Sequence, residues 1–90
     1  MESSVTRQFR AQLAALPARI PRKARAAFRL WLQDTLHPSL HFKCVNDNAG
    51  VYSVRIDSDW RAVAVVSEGR AVWFWIGSHA DYDKLLSRLP

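Results

Sequence analysis

Three apolar segments between residues 51 and 76, separated by very short turns, constrain the fold of this chain most strongly. Residues 51–57 alternate between apolar and polar side chains, which is typical of a strand with one buried face. Residues 60–66 and 71–76 are more continuously apolar. Because the turns at 57–59 and 67–70 are too short for crossover connections, the three strands must pair as an antiparallel meander.

A weaker strand is indicated at residues 42–45, and the turn-forming residues 46–50 connect it to the meander. The last strand of the meander is apolar on both faces. Simple alternation predicts that Trp73 and Trp75 share one face, and that the other face carries a second apolar set, namely Val72, Phe74 and Ile76. The final helix or a partner must therefore cover the second face of the sheet.

Apolar residues at helical spacing predict two helices before the sheet, over residues 4–16 and 20–36, with Ser3 or Ser4 capping the first. A third helix begins after Ser78, which has the spacing of a capping residue. The expected fold class is α+β: an N-terminal helical hairpin packed on a four-stranded antiparallel sheet, followed by a short C-terminal helix, in a single domain spanning the whole chain. No strand is expected before the first helix.

The net charge of +5 is concentrated in the N-terminal third of the chain. Residues 1–33 hold seven basic side chains and one acid. This excess predicts an anionic partner, either nucleic acid or an acidic protein, although a solvated helix face has the same composition. No apolar run has the length of a membrane span, no secretory signal is evident and Cys44 is the single cysteine, so we expect a cytoplasmic protein without membrane contact.

Two arginines interrupt the apolar strands of the meander. Arg55 and Arg61 come close to opposite each other when their strands pair across the 57–59 turn. Like charges in that position lower stability unless an anion lies between them. A carboxylate could fill that role, with three candidates nearby: Asp57, Asp59 and Asp81. The other interpretation is a cradle for a phosphate group, whose oxygens suit guanidinium donors.

His79 follows directly on the last strand and is the best candidate for a general acid or base, because its ordinary pKa lies near neutrality. An ordinary hydrogen bond in the first helical turn is the structural alternative. His37 and His41 flank Pro38 and cannot share one regular helix, so metal binding is not expected. The aromatic side chains can stack on bases, but most fit a core role better, in particular Trp31, Phe28 and Phe74.

Four motifs together resemble the RelE/ParE superfamily of bacterial type II toxins. They are the strand 52–56 (YSVRI), the segment 59–63 (DWRAV), the Glu68-Gly69 hairpin and the segment 75–82 (WIGSHADY), and the stretch 37–40 (HPSL) also fits. The resemblance extends over roughly residues 20–88, and its motifs are closest to the RelE and YafQ-like branch. That branch implies an endoribonuclease that cuts mRNA in the ribosomal A site and is neutralised by a cognate antitoxin.

The resemblance also implies roles for individual residues. Asp59 and His79 match catalytic positions of the YafQ-like toxins, and His37 matches a histidine that precedes a proline. Arg61 matches an arginine of RelE, and Tyr82 stands near its C-terminal tyrosine. Arg55 departs from the branch, which carries a histidine there.

The implied reaction needs no metal or cofactor: the RNA 2′-hydroxyl attacks the adjacent phosphorus and the 5′-oxygen leaves. We expect Asp59 to act as the base or to orient it, His79 to act as the acid, and Arg61 with Arg55 to hold the phosphate. Lys43, His37 and Tyr82 are further candidates for substrate binding. The basic N-terminal helices would contact ribosomal RNA or the message. The alternatives are a ParE-like inhibitor of DNA gyrase without nuclease activity, and a catalytically silent relative that binds a protein.

Overall fold

The computed structural model describes all 90 residues, which form three α-helices and a five-stranded mixed sheet. In chain order the elements are β1 (Glu2–Val5), α1 (Arg7–Ala14), α2 (Arg19–Gln33), a 3₁₀ turn (Pro38–Leu40), β2 (Lys43–Asn46), β3 (Val51–Asp57), β4 (Trp60–Ser67), β5 (Arg70–Ser78) and α3 (His79–Arg88). The strand order across the sheet is β1-β5-β4-β3-β2. The expected α+β class is confirmed, and the sheet has one strand more than expected.

The additional strand is β1, so the expectation that the chain begins in a helix is wrong. β1 pairs in parallel with the first half of β5, from Glu2 opposite Arg70 to Val5 opposite Trp73. Its residues include two serines, and its pairing partner lies far away in the sequence, so no local pattern predicts it. Helix α1 consequently begins later than expected and is capped by Thr6, whose hydroxyl accepts the Phe9 N–H at 3.0 Å.

The predicted antiparallel meander of β3, β4 and β5 is present. Arg55 lies directly opposite Arg61 in the register of β3 and β4. The β4–β5 hairpin turns through Glu68 and Gly69, whose φ angles are +52° and +74°. Two consecutive positive φ angles between paired strands are the geometry of the tight turns that follow the natural strand twist.

A bulge in β5 overturns the predicted faces of its tryptophans. Val63 of β4 lies opposite Trp75, but the next residue of β4, Ala64, lies opposite Trp73, so Phe74 is an extra residue in β5. Trp73 and Trp75 therefore point to opposite faces of the sheet. Trp73 packs in the core beneath the helical hairpin, whereas Phe74 and Trp75 both pack against the core beneath α3.

The sheet is consequently buried on both faces. On one face Trp31 of α2 meets Trp73 edge to face, with ring centroids 5.3 Å apart, while Phe28 remains 37% exposed and is not the core residue that the sequence predicts. On the other face Tyr82 of α3 is buried, and its hydroxyl lies 2.9 Å from the hydroxyl of Ser53. The second apolar face is thus covered by the chain's own last helix.

The buried hydroxyl pair gives the first testable prediction. Replacing Tyr82 by Phe leaves the Ser53 hydroxyl buried without a partner, and we expect the free energy of unfolding to fall by about 1–2 kcal/mol. The double variant Ser53→Ala/Tyr82→Phe removes both hydroxyls and should recover most of that loss. Urea unfolding followed by circular dichroism measures both variants, and a double variant less stable than Tyr82→Phe alone would contradict the pairing.

Candidate active site

Two distant segments meet at one end of the sheet. The carbonyl oxygen of Asp59, in the turn between β3 and β4, accepts the backbone N–H of His79 at 2.7 Å. Beside this bond Trp60 lies opposite Ser78 in the register of β4 and β5. The junction therefore places a carboxylate and an imidazole, the two groups expected to carry acid–base chemistry, on adjacent residues of the same rim.

His79 is the first residue of α3, because the hydroxyl of Ser78 caps this helix by accepting the Asp81 N–H at 3.2 Å. The imidazole Nδ1 lies 3.3 Å from a carboxylate oxygen of Asp83, one helical turn further on. This contact orients the ring and leaves Nε2 without a protein partner. The His79 side chain is 47% exposed, so Nε2 is accessible to a ligand. Sequence reasoning missed Asp83, although its i,i+4 spacing from His79 is a recognisable signal.

The arginines form a row across the sheet beside this junction. Arg55 of β3, Arg61 of β4 and Gly77 of β5 are register partners in turn, so neighbouring Cα atoms lie about 5 Å apart. Residues two apart on a strand share a face, so Arg55 lies on the face of Ser53, and Arg61 on that of Val63. Val63 belongs to the core beneath α3 and Ser53 bonds Tyr82 of that helix, so both arginines lie on the face that α3 covers further along the sheet. Neither arginine has a carboxylate within salt-bridge distance.

Arg61 also holds the turn that carries Asp59. Its Nη1 donates to the carbonyl oxygens of Asp57 and Trp60, at 2.6 and 3.0 Å, and lies 3.5 Å from that of Ser58. The remaining guanidinium donors make no hydrogen bond with the protein. The Arg61 side chain therefore holds the β3–β4 turn through Nη1 alone. Its other guanidinium N–H groups remain free on the same face of the sheet as Arg55.

Asp57, one of the three carboxylates considered as partners for the arginines, has other partners. Asp57 turns toward α2, where its Oδ2 lies 3.1 Å from Lys23 Nζ and 3.6 Å from Arg19 Nη1. Its Oδ1 accepts the Asp59 N–H at 2.9 Å. Burial raises the pKa of Asp57, but the Asp59 amide and the charges of Lys23 and Arg19 lower it more, so the pKa of this carboxyl lies below its ordinary value. Asp57 thus ties the turn to α2.

The other predicted site residues lie at increasing distances from His79. Tyr82 is adjacent, with its ring 5.7 Å from the imidazole, but it is buried and its hydroxyl is engaged by Ser53. His37 caps the 3₁₀ turn through Nδ1, which accepts the Ser39 N–H at 3.2 Å, and that turn packs on β3. Lys43 is exposed on the edge strand β2, opposite Ser53. Three strand spacings of about 4.8 Å separate β2 from β5, so Lys43 lies outside the junction itself.

No three His, Cys, Asp or Glu side chains are grouped so that they could hold a metal ion. None of the helices has the length and hydropathy needed to cross a membrane. The residues that meet at or beside the junction carry a carboxylate without a hydrogen-bond partner in the protein, an imidazole in contact with Asp83, and two guanidinium groups.

Comparison with known proteins identifies the family of this chain. A family model described as the ParE-like toxin domain matches residues 18–84, which include α2 and most of the sheet and of α3. The chain belongs to the ParE-like toxin family. It is therefore a toxin of the kind found in toxin–antitoxin systems, and a member of the RelE/ParE superfamily. No curated protein sequence matches this toxin.

Solved structures of related toxins have the same fold. The toxin resembles a chain of the RelB–RelE complex from Methanococcus jannaschii with a TM-score of 0.71 and 12% identity, covering 90% of this chain and 95% of that one. YafQ from E. coli matches with a TM-score of 0.71 and 14% identity, over 90% and 96% of the two chains. A YoeB/ParE toxin from Agrobacterium tumefaciens matches with a TM-score of 0.68 and 20% identity, over 88% and 99%.

The link between Asp57 and α2 gives a pH-dependent prediction. The variant Asp57→Asn loses both ion pairs, and we expect its free energy of unfolding at pH 7 to be lower by about 0.5–1.5 kcal/mol. Because the folded pKa of Asp57 is depressed, its contribution is present above the unfolded pKa of about 3.9 and is lost as pH falls through the folded value. The difference from the unmodified protein should therefore shrink below about pH 4.

Urea unfolding at pH 7 and at pH 3 tests this prediction. Asp34→Asn is the matched control, because Asp34 is the C-cap of α2 and its carboxylate forms neither an ion pair nor a hydrogen bond. A stability difference for Asp57→Asn that is equal at both pH values would show that the ion pairs do not carry it.

Proposed function

We propose that this toxin is a ribosome-dependent mRNA endoribonuclease that inhibits translation by cutting through attack of the RNA 2′-hydroxyl. The observation that carries the proposal is the 2.7 Å hydrogen bond from the His79 amide to the Asp59 carbonyl, which brings the two acid–base candidates to one rim. The sequence resemblance to the RelE and YafQ-like branch points to the same reaction.

The reaction needs a base at the 2′-oxygen and an acid at the leaving 5′-oxygen. We assign the acid to His79, whose Nε2 is free while Asp83 engages Nδ1. Asp59 is the base or the group that orients it, and its carboxylate makes no hydrogen bond within the protein. Which of these two roles Asp59 takes depends on where the substrate lies.

Charge also builds up on the phosphoryl oxygens as the 2′-oxygen attacks. Arg55 and Arg61, which face each other across two strands without a carboxylate partner, are suited to bind a phosphate through their free donors. This assignment accounts for the like-charge pair, because the substrate phosphate supplies the missing anion. In this mechanism the arginines supply the positive charge, and no metal or cofactor takes part. We assign Lys43 and His37 to binding of the message at a distance from the cleaved bond. Tyr82 packs beside the imidazole and helps to hold it in place.

We propose that the helical hairpin formed by α1 and α2 contacts the macromolecular partners of the toxin. The basic side chains of α1 and α2 are exposed, and we propose that they contact ribosomal RNA or the message by a salt-sensitive phosphate interaction. An apolar cavity of about 180 Å³ opens between the two helices beside the exposed Phe28. A cognate antitoxin with an acidic, amphipathic segment would complement both features, and one structural relative is a RelB–RelE antitoxin–toxin complex.

Primer extension across a ribosome-bound message tests the nuclease. We expect cleavage within the A-site codon, and a loss of about 100-fold or more in rate for His79→Ala or Asp59→Ala, since each removes a proton-transfer group. Arg61→Lys keeps the charge but loses the planar fork and should also be slow. Glu68→Gln, at the hairpin tip on the opposite end of the sheet, is the control and should cleave normally.

The ParE-like alternative predicts a different pattern. If His79→Ala and Asp59→Ala still arrest growth while DNA supercoiling by gyrase is inhibited, the nuclease proposal is wrong and gyrase is the target. If neither cleavage nor gyrase inhibition occurs at any dose, a catalytically silent binding protein remains.

A further inference from the structure

A groove of about 610 Å³ lies beside the candidate active site and has no role in the mechanism above. It runs between the C-terminal end of α1 and the exposed side of α3, along the part of β5 that extends beyond β1. Trp60 and Ser78 line it, and they are the direct chain neighbours of Asp59 and His79. The groove therefore begins where the candidate active site ends, and its volume lies within the range of small-ligand sites.

The floor of the groove is aromatic. Trp60 and Trp75 are only partly buried there, whereas Trp31 and Trp73 are buried in the core. Gly77 contributes to this surface because it has no side chain: a Cβ at that position would lie 2.7 Å from the Trp75 ring. The Trp75 ring thus lies against the bare backbone of Gly77, and its centroid is 6.5 Å from that of the Tyr82 ring, at an interplanar angle of 39°.

The wall formed by α3 is cationic. Lys84 and Arg88 are one helical turn apart and share a face. Both are exposed and neither forms a salt bridge. A cation near the C-terminal end of a helix is stabilised by the helix dipole, which partly explains the presence of Arg88. Lys84 lies a full turn earlier, where this effect is weaker. Asp81 is the single acid that lines the groove, so the groove carries a net positive charge.

We propose that this groove binds one nucleotide of single-stranded RNA next to the scissile phosphate, with its base against Trp60 and Trp75 and its phosphate on Lys84 and Arg88. Aromatic rings that accept any base, flanked by cations that follow the backbone, are the usual means of binding a single strand. The position of this nucleotide in a message rests on the proposed nuclease function. Binding of single-stranded RNA to the groove does not require that cleavage occurs.

The test uses a hexanucleotide of mixed sequence in which every 2′-hydroxyl is methylated, so that 2′-attack is blocked. In ¹H–¹⁵N spectra the indole N–H signals of Trp60 and Trp75 should shift on titration, while those of Trp31 and Trp73 should not. Lys84→Ala and Arg88→Ala should each weaken binding about fivefold. Each should also reduce the slope of log K against log salt by about 0.7, the value for one phosphate contact on a single strand.

Arg70→Ala is the matched control, because it removes one exposed positive charge at the opposite end of the sheet, where Arg70 pairs with Glu2. Equal weakening by Arg70→Ala and by the groove variants would mean that net charge alone attracts the RNA and would overturn the proposal. Indole shifts absent from Trp60 and Trp75 would overturn it as well, and so would binding of an acidic peptide, but not of the RNA, at these two residues.

The same measurements separate this proposal from the nuclease proposal. If the indole signals shift while ribosome-bound message is never cut, the groove binds RNA and the nuclease proposal fails. If Lys84→Ala/Arg88→Ala cuts message with an unchanged rate and KM, and the methylated RNA leaves the indole signals unmoved, the nuclease proposal stands and the groove proposal fails.

Discussion

One extra residue in β5 determines how the two halves of this structure fit together. The bulge at Phe74 sends Trp73 into the core under the helical hairpin and Trp75 into the core under α3. A regular strand would place both indoles on one face, where they would overfill one core and leave the other short of volume. The bulge also sets the phase of the last residues of β5, so that Gly77 lies opposite Arg61 and Ser78 ends the strand as the cap of α3. The position of His79 at the rim depends on that phase.

The arrangement around the arginines is unfavourable for stability alone. Arg55 and Arg61 are direct register partners, and like charges opposite each other on a sheet repel. The carboxylate of Asp57, at the end of β3, is engaged by Lys23 and Arg19 of α2 and does not neutralise the two arginines. Arg61 uses one nitrogen to bind the turn carbonyls, which partly explains its presence. Uncompensated charge beside a free carboxylate and an oriented imidazole is the kind of local conflict that is expected where a ligand completes the structure.

Local patterns determined most of what the sequence could predict. The β3–β5 meander, the glycine turn at Gly69 and the Ser78 cap each depend on residues a few positions apart, and all are present. The adjacency of Asp59 and His79 is a consequence of strand register. The strand β1 could not be predicted, because its pairing partner lies at the other end of the chain. The bulge in β5 could not be predicted either, because it depends on how the aromatic side chains are divided between the cores on the two faces of the sheet. The pairing of Asp57 with Lys23 of α2 could not be predicted, because the two residues are 34 positions apart in the sequence.

Two-sided burial of the sheet also explains why the chemical groups gather at one rim. The helical hairpin and α3 fill both faces of the central strands, so polar side chains in the meander stay accessible only where the covering helices end. At the end of the sheet that carries the β4–β5 turn, Arg70 and Glu2 neutralise each other. At the other end the β3–β4 turn, the β5–α3 junction and the groove beside α1 all meet, and Arg55, Arg61, Lys84 and Arg88 form no salt bridge there. Under the two proposals, a single strand of RNA that crosses this rim would meet Arg55 and Arg61 and then the aromatic groove.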